Sequence, residues 1–258
     1  MITGNAARIA ASFLLCSSAL ALDIGGDRLA ALVGEKSPAL VTIKYVLKMS
    51  MGPMGESESE TEIMGVMIEP TGLVLTSNTQ ISGMSSVMRR FMRGGDMTST
   101  PKDLKVLAGD DTEGVEAELV ARDSELDLAW VRVRKSPEKP YAAIDLSKSA
   151  KVKLGDEMVY LRRLSKYFDR AAIASTARVG GTTTKPRELL VPTAQLGTFG
   201  VPAFTESGAL VGISVLQMPD DDDANPMSSM MRAQDGMGLI LPAEEVAKAT
   251  KRAMETVK

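Results

Sequence analysis

The sequence predicts an all-β fold of two packed six-stranded β-barrels, with a short helix before the barrels and another after them. Three observations lead to this prediction. Short runs of β-forming residues recur along the 258-residue chain with turn residues between them. Helical periodicity is confined to two segments, and the linker RKSPEKPYAAIDLSKSAK at residues 134–151 divides the strands into two sets.

The first 21 residues have the layout of a secretory signal peptide. Arg8 precedes the apolar run IAASFLLCSSALAL, and Ala19 and Ala21 supply small residues at the −3 and −1 positions of a cleavage site. The run is too short to cross a bilayer comfortably, and a buried N-terminal helix is the alternative interpretation. We therefore expect an exported protein, periplasmic or extracellular after removal of the signal peptide.

Cys16 is the only cysteine of the chain and lies inside this segment. The sequence FLLC lacks the small residue that usually precedes a lipidated cysteine, which argues against the alternative of a lipid anchor. Cleavage after Ala21 leaves a mature chain with no disulfide and no thiol nucleophile.

The elements follow in order along the chain. Residues 22–37 are predicted to form an amphipathic helix that ends at a Ser-Pro break. The first barrel is predicted at residues 38–146, where IMGVMIEPTGLVLTS forms a hairpin and VEAELVARDSELDLAWVRV forms two strands joined at RDSE. The second barrel is predicted at residues 147–241, with strands in GDEMVYLRRL, AAIASTARVGG, RELLVPTAQLG, VPAFTESGALVGISVLQ and GMGLILP. A helix at residues 242–258 closes the chain, with Pro242 in its first turn.

Three segments rich in Met, Gly, Ser and charge are predicted to be long surface loops, at residues 48–62, 82–103 and 218–237. The last contains four consecutive aspartates at residues 220–223. These lack the spacing of a calcium loop, so a solvated charge run is the preferred interpretation. Residues 88–93, MRRFMR, are equally consistent with a docking helix for an acidic partner and with a surface helix that covers a barrel end.

The order of these segments resembles the protease domain of the HtrA (Deg-type) branch of trypsin-like serine proteases. The resemblance runs from about Leu29 to the closing helix and rests on LVGEKSPALVTI, GVMIEPTGLVLTSNTQISG, ARDSELDLAWVRV, LGDEMVYLRRL and GLILPAEEV. It implies a trypsin-like fold and a serine endopeptidase ancestry. The family usually appends PDZ domains and trimerises through an N-terminal aromatic segment, and the sequence leads us to expect neither substrate capture by a PDZ domain nor this mode of assembly.

The resemblance also implies where the catalytic triad of the family should lie. Thr79 occupies the histidine position, and the chain contains no histidine at all. Asp127 retains the aspartate. The nucleophile loop Gly-Asn-Ser-Gly-Gly-Pro is replaced by Gly197, Thr198, Phe199, Gly200, Val201 and Pro202, with Phe199 at the serine position. Val201 replaces a glycine for which a positive φ is expected, which predicts a distorted oxyanion loop. Asp127 is therefore predicted to hydrogen-bond nearby main chain or Thr79.

Two other hydroxyl groups are alternative nucleophiles. Ser207, in TESGAL, lies near the nucleophile loop in sequence, but Gly208 favours a tight turn there. Thr79 has no lysine or free amine placed beside it by the sequence, and a hydroxyl nucleophile needs an activating base.

The chain contains 17 methionines, many of them in the three predicted loops. A candidate binding surface consists of Met49, Met51, Met54, Met227, Met230 and Met231. Flexible thioethers form adaptable surfaces for apolar partners, and soft sulfur also suits Cu(I). The plain alternative is that the methionines replace Leu or Ile in an ordinary core.

Taken together, these features predict an exported pseudoprotease that binds a protein or peptide partner, with no cofactor and no dedicated metal site. The formal net charge of −3 provides no basic field for nucleic acid. The alternatives are a serine-type endopeptidase with rearranged catalytic groups and a methionine-rich copper-binding envelope protein. The oligomeric state is not predicted.

Overall fold

The fold consists of two closed antiparallel barrels of six strands each, which confirms the predicted fold class. The structure is a computed structural model that describes residues 24–52, 55–83, 97–194, 197–217 and 237–256. The predicted signal peptide, residues 88–93, residues 220–223 and the methionines at 54, 227, 230 and 231 lie outside the described residues.

The first barrel has the strand order β1-β2-β3-β6-β5-β4. Its strands are β1 (Leu40–Met51), β2 (Glu56–Glu69), β3 (Leu73–Ser77), β4 (Met97–Leu107), β5 (Val115–Asp123) and β6 (Leu128–Val133). The predicted hairpin is formed by β2 and β3, and Gly72 adopts φ +104° in its turn. An added Cβ at Gly72 would lie 2.8 Å from the Val133 Cβ, so both the turn geometry and the close approach require glycine.

The second barrel has the strand order β10-β11-β12-β9-β8-β7. Its strands are β7 (Glu157–Arg163), β8 (Ala172–Thr183), β9 (Leu189–Pro192), β10 (Pro202–Phe204), β11 (Leu210–Leu216) and β12 (Met237–Pro242). The barrels are joined by a largely irregular segment within the predicted linker.

In the described part of the chain, three α-helices accompany the barrels: α1 (Gly26–Lys36), α2 (Asn78–Ile81) and α3 (Ala243–Thr256). The C-terminal helix α3 directly follows β12 of the second barrel and contacts strands of both barrels. The indole Nε1 of Trp130, in β6, donates to the Thr250 hydroxyl over 3.0 Å. Since both residues are buried, this bond satisfies the one polar group that a buried Trp carries.

A large apolar core extends through both barrels, and a second, smaller cluster lies within the second barrel. The large core includes fully buried residues of the first barrel such as Leu75 and Trp130, and residues of the second such as Leu161 and Phe204. The central strands contribute consecutive residues to this core, such as residues 73–75 of β3, because both faces of these strands are covered. The shared core fixes the two barrels against each other and thereby sets the geometry of the residues between them.

The expectation of a surface loop over residues 48–62 is wrong. The strands β1 and β2 continue through most of this segment, and Ser50 pairs with Glu56. The polar sequence ESESETE alternates with period 2, so its glutamates share one face and its hydroxyls the other. Ion pairs between strands, such as Lys48–Glu56 at 2.6 Å, accompany the pairing. Because residues 56–62 include no apolar residue, this part of β2 lacks the hydrophobic alternation that identifies a strand in the sequence.

The same error affects part of the second predicted loop. Strand β4 begins at Met97 and pairs with β1 from Met51↔Met97 to Thr42↔Leu107, so the end of the segment at residues 82–103 is strand. Pro101 belongs to this strand even though it has no N–H to donate.

Within the described ranges, no helix has the length and apolar character needed to cross a membrane.

Candidate functional site

The three positions that correspond to the catalytic triad converge where the two barrels meet. Thr79 lies in α2, directly after β3, and Asp127 lies in the turn between β5 and β6. Phe199 lies in the segment that leads into β10. All three residues are buried, with 5%, 2% and 6% of their surface exposed.

Asp127 is the best-connected polar residue of the site. Its Oδ1 accepts a hydrogen bond of 2.7 Å from the main-chain N–H of Thr79. Its Oδ2 accepts from the Ser77 hydroxyl and from the Leu216 N–H, each over 2.9 Å. The main-chain partners expected from the sequence are therefore present. This carboxylate joins the first barrel to the end of β11 in the second.

Asp127 also has an unusual main-chain conformation, with φ +56°. Its carbonyl oxygen accepts from the Asn78 N–H over 3.1 Å, so the main chain and the side chain of one residue both hold the start of α2. Aspartate tolerates the left-handed region better than most residues.

The pKa of Asp127 is raised above its ordinary value. Burial is the largest cause, because it penalises the charged form. The hydrogen bonds from the Leu216 and Thr79 N–H groups, and interactions with the Thr79 and Ser77 hydroxyls, lower the pKa and partly offset burial. The group is thus a carboxyl held by donors in a place that water does not reach.

Thr79 lies in a short helix whose first turn is fixed by Ser77. The Ser77 side chain is the N-cap of α2 and accepts from the Gln80 N–H over 3.2 Å. The Ser82 hydroxyl donates to the Thr79 carbonyl oxygen over 3.1 Å. The local sequence Ser-Asn-Thr-Gln starts a helix for the usual reason, which is that a serine hydroxyl satisfies an otherwise free N–H group.

Gln80 connects this helix to the nucleophile loop of the second barrel. Its Nε2 donates to the Thr198 hydroxyl over 2.6 Å and to the Phe199 carbonyl oxygen over 3.0 Å. The Gln80 carbonyl oxygen is itself held by the Tyr45 hydroxyl over 3.1 Å. The residue next to the general-base position is therefore a rigid clamp across the barrel junction.

The nucleophile loop keeps its glycine-dependent conformation at two positions. Gly197 has φ +65° and Gly200 has φ +75°. A Cβ at Gly200 would lie 3.1 Å from the Ser77 main-chain nitrogen, so the loop approaches the first barrel closely.

Val201 does not adopt the positive φ expected at its position. Among the described non-glycine residues, positive φ angles occur only at Asp103, Asp127, Asp169 and Arg170. Val201 is therefore not strained, since the glycine requirement falls on its neighbour Gly200. Ser214 holds the loop at this point, because its hydroxyl accepts from the Val201 N–H over 2.9 Å and its main chain bonds to Gly200 and Val201.

A groove of about 350 Å³ opens beside this clamp. One wall is the middle of β2 at Glu62, Ile63 and Met64, and the other is the end of β7 and the residues after it, 162–165. Gln80, Thr198 and Val201 line its inner end. The volume lies within the range of ligand pockets in proteins, about 300–1,000 Å³.

The alternative nucleophile Ser207 is not joined to this site by any described contact. It lies in the turn between β10 and β11, where Gly208 has φ +84° as the sequence predicts for a tight turn. The Ser207 hydroxyl is exposed and hydrogen-bonded to the Thr205 hydroxyl over 2.8 Å. Neither hydroxyl is a base that would activate the other.

Of the candidate methionine surface, the structure describes the side chain of Met49 alone. Met49 is partly buried and packs against the apolar core, which agrees with the interpretation of methionine as an ordinary core residue. Met51 ends β1. No cluster of three or more His, Cys, Asp or Glu side chains suited to a metal ion occurs in the described part of the chain.

Sequence reasoning did not find Gln80, Ser77 or Ser214, which carry most of the polar contacts of the site. The positions of Ser77 and Gln80 on either side of Thr79 were a usable signal, because polar residues adjacent to a triad position point toward the same junction. Ser214, in a buried strand, gave no such signal.

The family of the chain follows from this architecture together with one comparison. Residues 63–213, more than half of the chain, match the family model described as a trypsin-like peptidase domain. This range contains Thr79, Asp127 and the nucleophile loop. A comparison with curated proteins gave no match. With its two six-stranded barrels and this match, the chain belongs to the trypsin-like peptidase domain family.

Proposed function

We propose that this protein is a non-catalytic member of its family, a pseudoprotease that binds protein or peptide partners. The observation that carries the proposal is the set of contacts around Asp127. The residue at position 79 would have to supply a base between the aspartate and the nucleophile, and Thr79 has no basic side chain. The described donors to the Asp127 carboxylate are the Thr79 N–H, the Ser77 hydroxyl and the Leu216 N–H, and none of them is a base. The chain has no histidine to take that place, and Phe199 offers no nucleophilic atom.

The remaining hydroxyls near Asp127 do not supply a substitute. The Ser77 hydroxyl donates to Asp127 and accepts from Gln80, and the residue is 1% exposed. A buried hydroxyl with both partners satisfied is a structural group, since a substrate carbonyl cannot approach it. These contacts argue against the alternative of an endopeptidase with rearranged catalytic groups.

The groove beside Gln80 is the binding site that we assign to this function. Its walls come from both barrels, its lining includes the hydroxyl residues Thr42, Ser165 and Thr198, and Gln80 donates to Thr198 at its margin. An extended peptide suits such a groove because it offers alternating main-chain donors and acceptors. The groove therefore retains a recognition surface beside a site that lacks the groups for bond cleavage.

Membership of the HtrA branch and export form part of the same proposal. They are supported by the order of the quoted motifs and by the layout of the first 21 residues. Expression of the full-length chain in a bacterial host with an intact secretion system tests export. We expect an envelope or extracellular product whose intact mass corresponds to cleavage after Ala21, and a full-length cytoplasmic product would contradict it.

Catalysis and binding are tested on the same preparation. An excess of a fluorophosphonate probe is expected to leave the intact mass unchanged while it labels active trypsin in parallel. An adduct on Ser207, Thr79 or another hydroxyl, found by peptide mapping, would overturn the non-catalytic assignment.

For binding, fluorescent unfolded casein serves as the probe in an anisotropy titration. We expect the wild-type chain to bind casein without producing fragments, and Ser165→Trp, which fills the groove, to bind roughly tenfold more weakly. Leu154→Trp is the matched control, since Leu154 is 69% exposed and does not line the groove. Equal binding by all three proteins would exclude the groove as the site.

A further inference from the structure

Among the described strands, none pairs with the outer edge of β2 over residues 56–63. Strand β2 pairs with β1 from Glu56 to Val66. On its other side it pairs with β3 only from Val66 to Glu69. Among the described residues, no strand lies beside residues 56–63 on that side. A free strand edge presents main-chain N–H and C=O groups that can pair with another chain.

The glutamates of this strand direct their main-chain groups toward the free edge. The Thr76 hydroxyl of β3 donates to the Met64 carbonyl oxygen over 2.8 Å, so Met64 points its main chain to the outer side. Main-chain direction alternates along a strand, and the N–H and C=O of one residue point the same way in an antiparallel sheet. Glu56, Glu58 and Glu60 therefore offer their N–H and C=O groups outward.

The side chains of these glutamates form one acidic row along the edge. Lysines on the inner strands contact them at 2.6 Å for Lys48–Glu56, 3.4 Å for Lys44–Glu60 and 3.9 Å for Lys102–Glu58. The glutamate side chains nevertheless remain 55–72% exposed. A carboxylate has acceptor capacity for more than one donor, so each can take a second cation from the outer side.

Glu62, the next glutamate of the row, already binds a cation from the outer side. Glu62 accepts two hydrogen bonds from Arg170, at 3.0 Å from Nε and 2.6 Å from Nη2. Arg170 follows β7 and belongs to the second barrel, and the Glu62 side chain is 22% exposed. Arg170 therefore ends the free edge on this side, and the edge that remains is residues 56–60, separate from the groove.

We propose that residues 56–60 are a strand-addition site for an extended segment of a partner protein with Lys or Arg at every second position. Residues directly opposite in an antiparallel pair have their Cβ atoms about 4.5–5.5 Å apart, so the basic side chains would lie beside Glu56, Glu58 and Glu60. The residues between them would face Ser57 and Ser59, which favours small or β-branched side chains such as Thr.

A second copy of this chain does not fit the same edge. Antiparallel pairing of two such strands in register would place glutamates opposite glutamates, which destabilises the pair. Charge complementarity therefore selects a basic partner strand. This inference goes beyond the proposed function, because the edge and the groove are different surfaces and are tested with different variants.

The probe is a fluorescent heptapeptide, Lys-Thr-Lys-Thr-Lys-Thr-Lys, titrated against the full-length chain at low ionic strength. An isomer with the four lysines in one block has the same charge without the alternation. We expect the block isomer and the triple variant Glu56→Gln/Glu58→Gln/Glu60→Gln each to show roughly tenfold weaker binding. The control triple variant Glu113→Gln/Glu138→Gln/Glu255→Gln changes the net charge equally at exposed positions and should bind as the wild type does.

Main-chain pairing is tested by methylation of the peptide. In the proposed pairing the lysine N–H groups face β2 and the threonine N–H groups face away. N-methylation of the central lysines should abolish binding, whereas N-methylation of the threonines should preserve it.

Three results would overturn the proposal: no binding of the heptapeptide, equal binding of the block isomer, or equal loss in both triple variants. Casein binding in the groove that persists when the heptapeptide fails would leave the proposed function intact. If casein does not bind while the heptapeptide still does, the proposed function fails and the strand-addition site stands.

Discussion

Gln80 and Phe199 are joined across the barrel junction by a hydrogen bond of 3.0 Å from the Nε2 of Gln80 to the main-chain oxygen of Phe199. The two residues belong to the regions that hold the general base and the nucleophile in an active member of the fold. In this chain the regions are connected by a direct polar contact. The Gln80 side-chain amide therefore donates its hydrogen bonds within the protein, to the Thr198 hydroxyl and the Phe199 carbonyl oxygen.

The clamp predicts a graded response to substitution of Gln80. Gln80→Glu places a carboxylate against the Phe199 carbonyl oxygen and removes both donated bonds, so we expect the free energy of unfolding to fall by about 2–3 kcal/mol. Gln80→Met keeps the shape and leaves no charge, so about 1 kcal/mol is expected. Urea unfolding measures both. If Gln80→Glu is as stable as the wild type, the Gln80 hydrogen bonds do not stabilise the folded protein.

Removal of the buried Phe199 ring should destabilise the fold more than removal of an exposed aromatic ring. Phe199 is 6% exposed, whereas Phe168 is 56% exposed and packs edge-on against Tyr167. Phe199→Ala is expected to lower the free energy of unfolding by about 3 kcal/mol, because it removes a buried ring. The matched variant Phe168→Ala should change it by less than about 0.5 kcal/mol. Similar losses in the two variants, compared by thermal and urea unfolding, would contradict the structural role of Phe199.

The fold was predictable because its signals are redundant. The strands around Leu75 and Trp130 are apolar, and turn residues such as Gly72 separate them. The hydrophobic pattern and the positions of the turn residues therefore predict the same strands. The pattern at residues 56–62 failed for a physical reason. Both faces of this part of β2 are polar, so it shows no alternation of apolar and polar residues. Its charged and uncharged residues do alternate, and this alternation was the available signal.

The candidate site was predictable in its location and only partly in its contacts. Asp127 could be placed at the junction and assigned main-chain partners because a buried carboxylate needs donors. The donors themselves, from Leu216 and Ser77, come from segments 89 and 50 positions away in sequence. No local pattern encodes such a pair. The positive φ expected at Val201 is instead found at the preceding residue, Gly200.

Asp127 predicts a specific dependence of stability on pH. Its pKa is raised in the folded protein, chiefly by burial, above an unfolded value of about 3.9. The folded state therefore binds the proton more tightly than the unfolded chain does. This contribution to stability is fully present below the unfolded pKa and is lost as the pH rises through the folded pKa.

Asp127→Asn removes this titration. Relative to that variant, the wild type should lose stability as the pH rises from about 4 through the raised pKa of Asp127. Asp145 provides a control of opposite sign, since hydrogen bonds from Ser147 lower its pKa. Relative to Asp145→Asn, the wild type should lose stability as the pH falls. A stability difference for Asp127→Asn that does not vary with pH, measured by urea unfolding across the acidic range, would show that Asp127 does not titrate as described.

The Glu62–Arg170 pair predicts that the geometry of the cation matters as well as its charge. Arg170 presents two N–H groups to one carboxylate, and the side chains are only 18% and 22% exposed. Arg170→Lys keeps the charge but loses the two-pronged contact, so the free energy of unfolding should fall by about 1 kcal/mol. Lys151 and Glu244 form an exposed pair at 3.4 Å, in which Lys151 is 85% exposed. Lys151→Met should therefore have no measurable effect, because exposed pairs contribute little. If the two variants have equal stability by urea unfolding, the connection between β2 and the second barrel rests on packing, and Arg170 does not fix the end of the free edge.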